Sequence, residues 1–392
     1  MSREFLIGSK LRLALLAFVA SMGLVLGACN GDDENNGNNG NNGTSDAGDV
    51  EEDVSEDTGE DTAEDTTEDD TAMVQVIHAS PDPAAATVDV WVEGQEEPLL
   101  DDFAFNSATP YTELPAGVDL NIGIAASDSS SYEDSLKTWE GVQFAADSEN
   151  VVIAHGLVSP SGDQPELDLL VTQGKMAPSD AASDEIKVAH TSPDAPTVDV
   201  VPNNSADSTI PDLAYGAAVG YVPVPNGILL ADIVVSDSGD RAASFQTPEL
   251  TGGKTWVVLA TGFLSPPDED SPAFGLTAVD NEGNVADLEL AARAQIIHAS
   301  PAAAADPVDL YLNGSVYLED VPFRASTGFL TVPSATDLEW DVVPADGAIG
   351  DSVANATINL DPGATAIAAA VGDGDEGFSI VPKADAQEMA MV

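Results

Sequence analysis

The chain has 392 residues, and its 69 acidic against 11 basic residues give a formal net charge of −58 at pH 7. Nucleic acid and anionic lipid headgroups are poor partners for such a surface, because both are bound by basic patches, and no nucleic-acid partner is expected. Cations, basic partners or a saline habitat fit this composition better. With one cysteine in the whole chain there is no intradomain disulfide, so core packing must hold any folded domain.

Residues 1–28 have the composition of a secretory signal peptide. Basic Arg3, Lys10 and Arg12 precede an apolar run over residues 13–26, and small residues follow. A transmembrane helix would need about 20 apolar residues, which is longer than this run. The sequence therefore predicts an exported protein.

The only cysteine, Cys29, directly follows the small pair Gly27-Ala28. The segment Leu26-Gly27-Ala28-Cys29 resembles a bacterial lipobox, which implies cleavage between Ala28 and Cys29 and membrane attachment through acyl chains on Cys29. A redox or metal role lacks a second cysteine or a nearby histidine, and an intermolecular disulfide is the remaining alternative. Asn30 and the acids at 32–34 resemble signals for the outer membrane or cell surface, so we expect a lipid-anchored protein of the bacterial cell envelope.

Residues 29–72 form a separate compositional unit, rich first in Asn and Gly and then in a repeated Glu-Asp-Thr pattern. The segment has too few apolar residues to offset the entropy cost of ordering, so it is predicted to be a disordered tether. A flexible chain of this length spans roughly 35 Å on average. A calcium-collecting tail is the alternative.

The remaining chain contains three copies of one unit, predicted as domains over residues 73–180, 184–290 and 293–392. The opening His-x-Ser-Pro motif recurs at 78–81, 190–193 and 298–301, and each copy continues with a Val-Asp-Val or Val-Asp-Leu segment. Alternating polar and apolar residues, as over 88–93, are separated by turn clusters. This pattern predicts an all-β fold of three tandem immunoglobulin-like or transthyretin-like antiparallel β-sandwich domains after the acidic linker.

The His-x-Ser-Pro-Asp-x-Pro opening followed by Val-Asp-Val resembles domain of unknown function 4397. The resemblance covers residues 73–392 and implies an exported or lipid-anchored bacterial protein with tandem domains, without implying an activity. The third copy departs from the motif, because Ala302 stands where Asp82 and Asp194 stand in the others.

The recurring histidine, serine and aspartate raise the question of nucleophilic catalysis. The histidine shares its strand phase with inward valines, the serine precedes a proline that restricts it to extended backbone, and no glycine-flanked serine elbow is present. His155 has no counterpart in the other units. We therefore assign no catalytic residue and interpret the repeated set as structural: His78, Ser80, Pro81, Asp89, His190, Ser192, Pro193, Asp199, His298, Ser300, Pro301 and Asp309.

Asp89, Asp199 and Asp309 have two interpretations. Each lies on the strand face opposite its valine neighbours, which predicts either a solvated or hydrogen-bonded carboxylate or a calcium ligand assisted by Asp82 or Asp194. Calcium needs six to eight oxygens, and no known calcium-loop spacing is present. No metal ligand or cofactor is therefore assigned. The alternative is calcium bound by these aspartates or by carboxylates at the domain junctions near 180–185 and 280–287.

Trp91 and Tyr311 share the same polar-face phase, with Val201 at the matching position of the second unit. One interpretation is a possible ligand face, on which these aromatic rings stack against a sugar ring. The interpretation we favour is that a loop or a neighbouring domain covers them.

The expected function is non-catalytic binding, adhesion or surface display by a lipid-anchored envelope protein. Its expected ligand is an envelope polymer, a glycan or a protein. A calcium-stiffened structural spacer is the first alternative, and a hydrolase that uses the His, Ser and Asp of the first repeat is the second.

Overall fold

The structure is a computed structural model that describes residues 70–202, 210–302, 306–373 and 377–386. The predicted signal peptide, Cys29 and the tether as far as residue 69 lie outside the described residues. From Thr71 onward the chain forms one compact unit. In this described part, no helix is both long enough and apolar enough to cross a membrane.

Each repeat consists of two facing sheets, so the prediction of three β-sandwich units is confirmed. The strands of repeat 1 are β1 (Thr71–His78), β2 (Thr87–Val92), β3 (Leu100–Ala104), β4 (Ser107–Ala108), β5 (Thr112–Pro115), β6 (Leu120–Ala126), β7 (Ser135–Val142), β8 (Glu149–His155) and β9 (Asp168–Gln173). The first sheet has the order β4-β1-β8-β9, with β5 also paired to β1, and the second has the order β3-β2-β6-β7. Since β1 includes Thr71 and buried Ala72, the folded unit begins two residues before the predicted boundary.

Repeat 2 follows the same plan. Its strands are β10 (Asp184–His190), β11 (Val198–Pro202), β12 (Ile210–Leu213), β13 (Ala218–Val224), β14 (Leu230–Val235), β15 (Arg241–Gln246), β16 (Thr255–Thr261), β17 (Gly275–Asp280), β18 (Val285–Asp287) and β19 (Glu289–Leu290). The first sheet has the order β13-β10-β16-β17-β18, and the second has the order β12-β11-β14-β15-β19.

Repeat 3 has the same two sheets. Its strands are β20 (Ala292–His298), β21 (Val308–Leu312), β22 (Ser315–Val321), β23 (Ser326–Val332), β24 (Asp337–Pro344), β25 (Ala354–Asn359), β26 (Thr365–Val371) and β27 (Ser379–Ala384). Their orders are β23-β20-β26-β27 and β22-β21-β24-β25.

One strand pair in each repeat departs from the predicted antiparallel arrangement. The first strand pairs in parallel with the strand of the late apolar run: β1 with β8, β10 with β16 and β20 with β26. The chain crosses between the two sheets several times before it returns, so these neighbours need no hairpin between them. The other strand pairs of the six sheets are antiparallel.

The alternation of side chains places one face of every first sheet in the core of its own sandwich. In β1 the inward side chains are Val74, Val76 and His78, and they meet Val88 and Val90 of β2 across the sandwich. The cores of repeats 2 and 3 have the same construction. Because alternate residues point to opposite sides, Gln75 and Ile77 face away from this core.

Repeats 1 and 2 pack through the outer faces of their first sheets. One apolar cluster contains side chains of both repeats: Ile77, Ala79, Val151, Ile153, Ala189, Val257, Leu259 and Val279. Polar contacts flank the cluster, since Gln75 Nε2 donates to Asp280 O at 2.8 Å and Lys187 Nζ donates to Thr172 Oγ1 at 3.1 Å. Gln75 and Lys187 occupy matching positions, and so do β17 and β9. The two repeats therefore meet with approximate two-fold symmetry.

Repeats 2 and 3 meet through a more polar contact. The guanidinium of Arg293 in β20 lies 3.6 Å from the Asp232 carboxylate in β14, and Thr331 Oγ1 donates to that carboxylate at 2.7 Å. Gln246 and Ser334 exchange two hydrogen bonds, from Ser334 N to Gln246 Oε1 and from Gln246 Nε2 to Ser334 O. The second sheet of repeat 2 thus contacts one end of the first sheet of repeat 3.

The apolar contact between repeats 1 and 2 can be tested by truncating one leucine. Leu259 is 1% exposed in the shared cluster, so Leu259→Ala should lower the free energy of unfolding by about 2–5 kcal/mol. Leu264 is 46% exposed, so Leu264→Ala should change it by less than about 0.5 kcal/mol. Urea unfolding of both variants checks this, and an equal effect at the two positions would contradict the described interface.

Candidate functional site

The repeated histidines lie on the inward face of their strands, at the edge of each sandwich core. His78, His190 and His298 are at most 2% exposed. His78 Nε2 donates to the carbonyl of Ala85, 2.7 Å away in the following 3-10 turn, and His190 Nε2 donates likewise to Pro196 O at 3.0 Å. Each of these two side chains therefore fastens the end of the first strand to the segment that leads into the second sheet.

The neutral imidazole suits this position. Its other nitrogen, Nδ1, accepts the backbone N–H of the serine two residues on, at 3.4 Å for both His78 and His298. Burial lowers the pKa of His78 to about 4, against a smaller opposing effect of the Ala85 carbonyl. Burial also lowers the pKa of His190. The His78 ring is thus uncharged at neutral pH, with a donor on one side and an acceptor on the other.

The repeated serines donate their hydroxyl protons to glycine carbonyls at the end of the late apolar strand. The bonds run from Ser80 Oγ to Gly156 O, from Ser192 Oγ to Gly262 O and from Ser300 Oγ to Gly372 O, at 2.5–2.7 Å. Each glycine has a positive φ, and a Cβ on it would lie 2.1–2.2 Å from a carbonyl oxygen of the next segment. Only glycine fits these three positions.

This geometry does not assemble a nucleophile and its base. The hydroxyl hydrogen of each serine is directed at a glycine carbonyl rather than at the histidine. His78, Ser80 and the corresponding pairs are almost fully buried. Pro81 and Pro193 are also buried, while Pro301 is exposed. In repeats 1 and 2 the histidine joins the first strand to the segment leading into the second sheet, and in all three repeats the serine joins the end of that strand to the glycine after the late apolar strand. We call this set of contacts the clamp.

The aspartates of the Val-Asp segments stabilise a β-bulge. Asp89 Oδ1 accepts the backbone N–H of Asp102 at 3.0 Å, Asp199 that of Asp212 at 2.8 Å, and Asp309 that of Asp320 at 2.9 Å. The three donors have φ of 52–54°, and strand register shifts beside all three acceptors. A left-handed residue in a bulge leaves an N–H outside the ladder, and the carboxylate satisfies it. The predicted hydrogen-bonded carboxylate is thus what the structure places here.

Asp89 has a second partner that connects it to Trp91. Ser129 Oγ donates to Asp89 Oδ2 at 2.6 Å and accepts from Trp91 Nε1 at 2.8 Å. Trp91 is only 2% exposed, so the suggested ligand face is wrong for this residue, and the preferred interpretation, a covering loop, is what the structure contains. Tyr311 is partly buried, as is Val201 at the matching position.

Among the residues that the structure describes, one group of carboxylates comes close enough to share a cation. Ligand oxygens of Asp89, Asp101 and Asp102 lie within 4.8 Å of one another. Both Asp89 oxygens already accept hydrogen bonds, whereas calcium needs six to eight oxygen ligands. The group does not supply the coordination that a calcium site requires.

Carboxylates at the junction between repeats 1 and 2 are also engaged. Glu185 pairs with Lys175 and accepts the N–H of Ser179, and Asp280 pairs with Lys254. Asp184 accepts backbone N–H groups of Gly252 and Lys254. These contacts use the acids that a calcium-bound junction would need.

Asp82 and Asp194 hold the loop that follows the late apolar strand. Asp82 Oδ2 accepts the N–H of Val158 at 2.8 Å, and the Asp194 carboxylate accepts those of Leu264 and Ser265. The loops cover residues 156–167 and 262–274, whereas in repeat 3 only seven positions separate the end of β26 at Val371 from the start of β27 at Ser379. Ala302 therefore occurs in the repeat without the long loop, which explains its departure from the motif.

Sequence reasoning missed the role of His155. Its Nδ1 lies 2.7 Å from the hydroxyl of Tyr215 in repeat 2, and the two rings pack edge to face. Burial lowers the pKa of His155, with the nearby Asp168 carboxylate acting in the opposite direction. A residue that occurs in one repeat and not in the others can belong to a contact that only that repeat makes. The lack of a counterpart for His155 was therefore a signal for its contact with Tyr215 of repeat 2.

The bulge interaction gives a matched pair of variants. In Asp89→Asn one acceptor becomes an NH2 group facing either the Asp102 N–H or the Ser129 hydroxyl, so the free energy of unfolding should fall by about 1–3 kcal/mol. Exposed Asp163 serves as control, and Asp163→Asn should have an effect below about 0.5 kcal/mol. Urea unfolding without calcium checks both, and equal stabilities of the two variants would contradict the structural role of Asp89.

Comparison with known families agrees with this internal symmetry. A family model described as a domain of unknown function (DUF4397) matches residues 72–201, 184–305 and 292–390. No curated protein matches the chain. The three matches begin close to β1, β10 and β20 and together cover most of the chain. The chain therefore belongs to the DUF4397 family, of which it contains three tandem domains.

Proposed function

We propose that this chain is a lipid-anchored protein of the bacterial cell envelope whose three β-sandwich domains have a non-catalytic role in binding, adhesion or display. The observation that carries the proposal is the Leu26-Gly27-Ala28-Cys29 segment, which places the only cysteine directly after a signal-like sequence. Each buried acyl methylene contributes about 0.8 kcal/mol, so two or three chains on Cys29 would anchor the protein stably.

The non-catalytic role is supported by the way the repeated polar residues are used. Histidine nitrogens and serine hydroxyls make hydrogen bonds that hold turns and strand ends together, and they do so inside the core. The serine–glycine bond occurs in all three repeats, and the histidine–carbonyl bond occurs in repeats 1 and 2, as expected for elements of the fold. An active site needs access for a substrate, and it is seldom repeated in every domain of a tandem array.

The display role is supported by the arrangement along the chain. The acidic segment between Cys29 and Thr71 has the composition of a flexible spacer, and the described domains contact one another closely. Such a protein would hold its packed β-sandwich domains away from the membrane on a flexible spacer. Asn30 after the lipidated cysteine favours the outer membrane as its place.

Lipid attachment can be tested at Cys29. Expressed with its signal in a bacterium that processes lipoproteins, the chain should incorporate an alkyne-labelled fatty acid and fractionate with membranes. Cys29→Ser should abolish both, because serine offers no thiol for acylation, whereas Ser21→Ala in the signal should leave labelling intact. Fatty-acid labelling of the Cys29→Ser variant would contradict lipidation at this residue.

The binding role can be tested with the chain from Asn30 onward. We expect saturable binding to one class of ligand on an array of glycans, envelope polymers and matrix proteins, with the same affinity in millimolar calcium and in sodium chloride of equal ionic strength. A blank array with unchanged melting in calcium would favour a spacer or display protein. A calcium-dependent rise in melting temperature that Asp101→Asn removes would instead support the calcium-stiffened alternative.

A further inference from the structure

The outer faces of the three first sheets correspond residue by residue. Strand register defines six matching positions on the central two strands and the adjoining one. They are Gln75, Ile77, Val151, Ile153, Leu170 and Thr172 in repeat 1; Lys187, Ala189, Val257, Leu259, Thr277 and Val279 in repeat 2; and Gln295, Ile297, Ile367, Ala369, Val381 and Lys383 in repeat 3. We call the last set the repeat 3 outer face.

These faces differ in burial although they share their position. In repeats 1 and 2 they cover one another, and ten of the twelve positions are buried, while Leu170 and Thr172 are partly buried. In repeat 3 all six stay partly or fully exposed to solvent within the described part of the chain. The contrast is largest on the adjoining strand, where Thr277 of repeat 2 is 3% exposed and its counterpart in repeat 3, Val381, is 50% exposed.

Within the described part of the chain, the polar contacts of repeat 2 with this sheet lie at one end of it. Asp232 and Gln246 reach Arg293 at the start of β20, Thr331 near the end of β23 and Ser334 just after it. The apolar centre around Ile297, Ile367 and Val381 lies further along the strands. Burying the apolar side chains at this centre against another surface would be favourable, because it removes apolar area from water.

We propose that the repeat 3 outer face binds the same face of a second copy of this chain, so that two chains pair through repeat 3 as repeats 1 and 2 pair within one chain. The contact between repeats 1 and 2 is the template: it joins equivalent faces with approximate two-fold symmetry, as a C2 dimer would. With three repeats, one such face is left over in each chain.

The polar groups of the template have counterparts in repeat 3. Gln295 Nε2 donates to Thr327 O at 2.8 Å, as Gln75 Nε2 donates to Thr109 O at 3.1 Å. Gln75 makes its second bond to the backbone of β17 in repeat 2, and β27 is the corresponding strand in repeat 3. A symmetric pair would place each Gln295 beside β27 of the other chain.

The charge of this face also favours a second copy. A net charge of −58 opposes self-association by long-range repulsion. The repeat 3 outer face has Lys383 and no acidic residue among its six positions, so two copies can meet here with little local repulsion. Screening by salt should therefore strengthen the association.

The test is the oligomeric state of the chain from Asn30 onward, which lacks the acyl chains and keeps the whole compact unit. Sedimentation equilibrium should show a monomer–dimer equilibrium with a dissociation constant on the order of micromolar, tightened by added sodium chloride. Val381→Asp should weaken the dimer at least about tenfold, because it buries an unpaired carboxylate at each of two symmetric positions.

Val316→Asp is the matched control, since Val316 is 47% exposed and lies in the second sheet of the same repeat. It should leave the dimer unchanged, and both variants should retain the wild-type melting temperature of the monomer because both side chains are already half in solvent. A chain that stays monomeric at high salt, or equal weakening by the two variants, would overturn the proposal. Dimerisation that appears only after removal of residues 30–69 or 387–392 would also overturn it, because that segment would then be the occupant of the face.

Discussion

The outer face of each first sheet is the constraint on which the arrangement of domains depends. In an isolated sandwich this face would be solvated and polar, but here its central strands carry apolar residues such as Ile153 and Leu259. Such a sheet, buried on both sides, must be covered by another layer. Repeats 1 and 2 satisfy this requirement for each other, which makes them a packed pair rather than two independent domains on a string. Repeat 3 contacts repeat 2 through charged and amide side chains. Such a contact depends on well-aligned hydrogen bonds and ion pairs more than on a large buried apolar area.

The contacts that recur in the clamps explain why the same residue types are repeated. A neutral imidazole can donate on one side and accept on the other, which is what the junction between the first strand and the following turn requires at His78. A serine hydroxyl is short enough to reach Gly156 from the same junction. In repeat 1 both groups are paired and buried, so His78 and Ser80 hold the end of the first strand to the turn that follows it and to the glycine after the late apolar strand.

Much of the fold could be predicted from the sequence, because repetition and alternation are local signals. Three copies of the same pattern indicated three domains, and the inward phase of His78 followed from Val74 and Val76. The parallel partner of β1 could not be identified in this way, since alternation says which side a residue faces but not which strand lies beside it. The partner of Asp89 was equally hidden, because the left-handed residue Asp102 is part of a bulge that only the paired strands define. The uninterrupted apolar runs at 151–154 and 257–260 did contain a usable signal: both faces of those strands are apolar, as expected for strands covered on both sides.

The distribution of the few cations shows how so acidic a chain can pack its domains together. Eight basic residues follow Cys29, and three of them lie where segments of different repeats meet: Lys175 beside Glu185, Lys187 at Thr172 and Arg293 at Asp232. At these places a like-charge contact would be most costly, because the surrounding apolar side chains exclude water and weaken screening. Most other acidic residues in the described part of the chain are exposed, where water and salt reduce their repulsion, and the buried Asp89 and Asp184 accept backbone N–H groups. Net charge therefore says little about whether two faces of this protein can pack, and the local set of side chains decides it. By that criterion Lys383 on the repeat 3 outer face resembles the cations at the contacts between repeats, and it differs from the acidic residues on the rest of the surface.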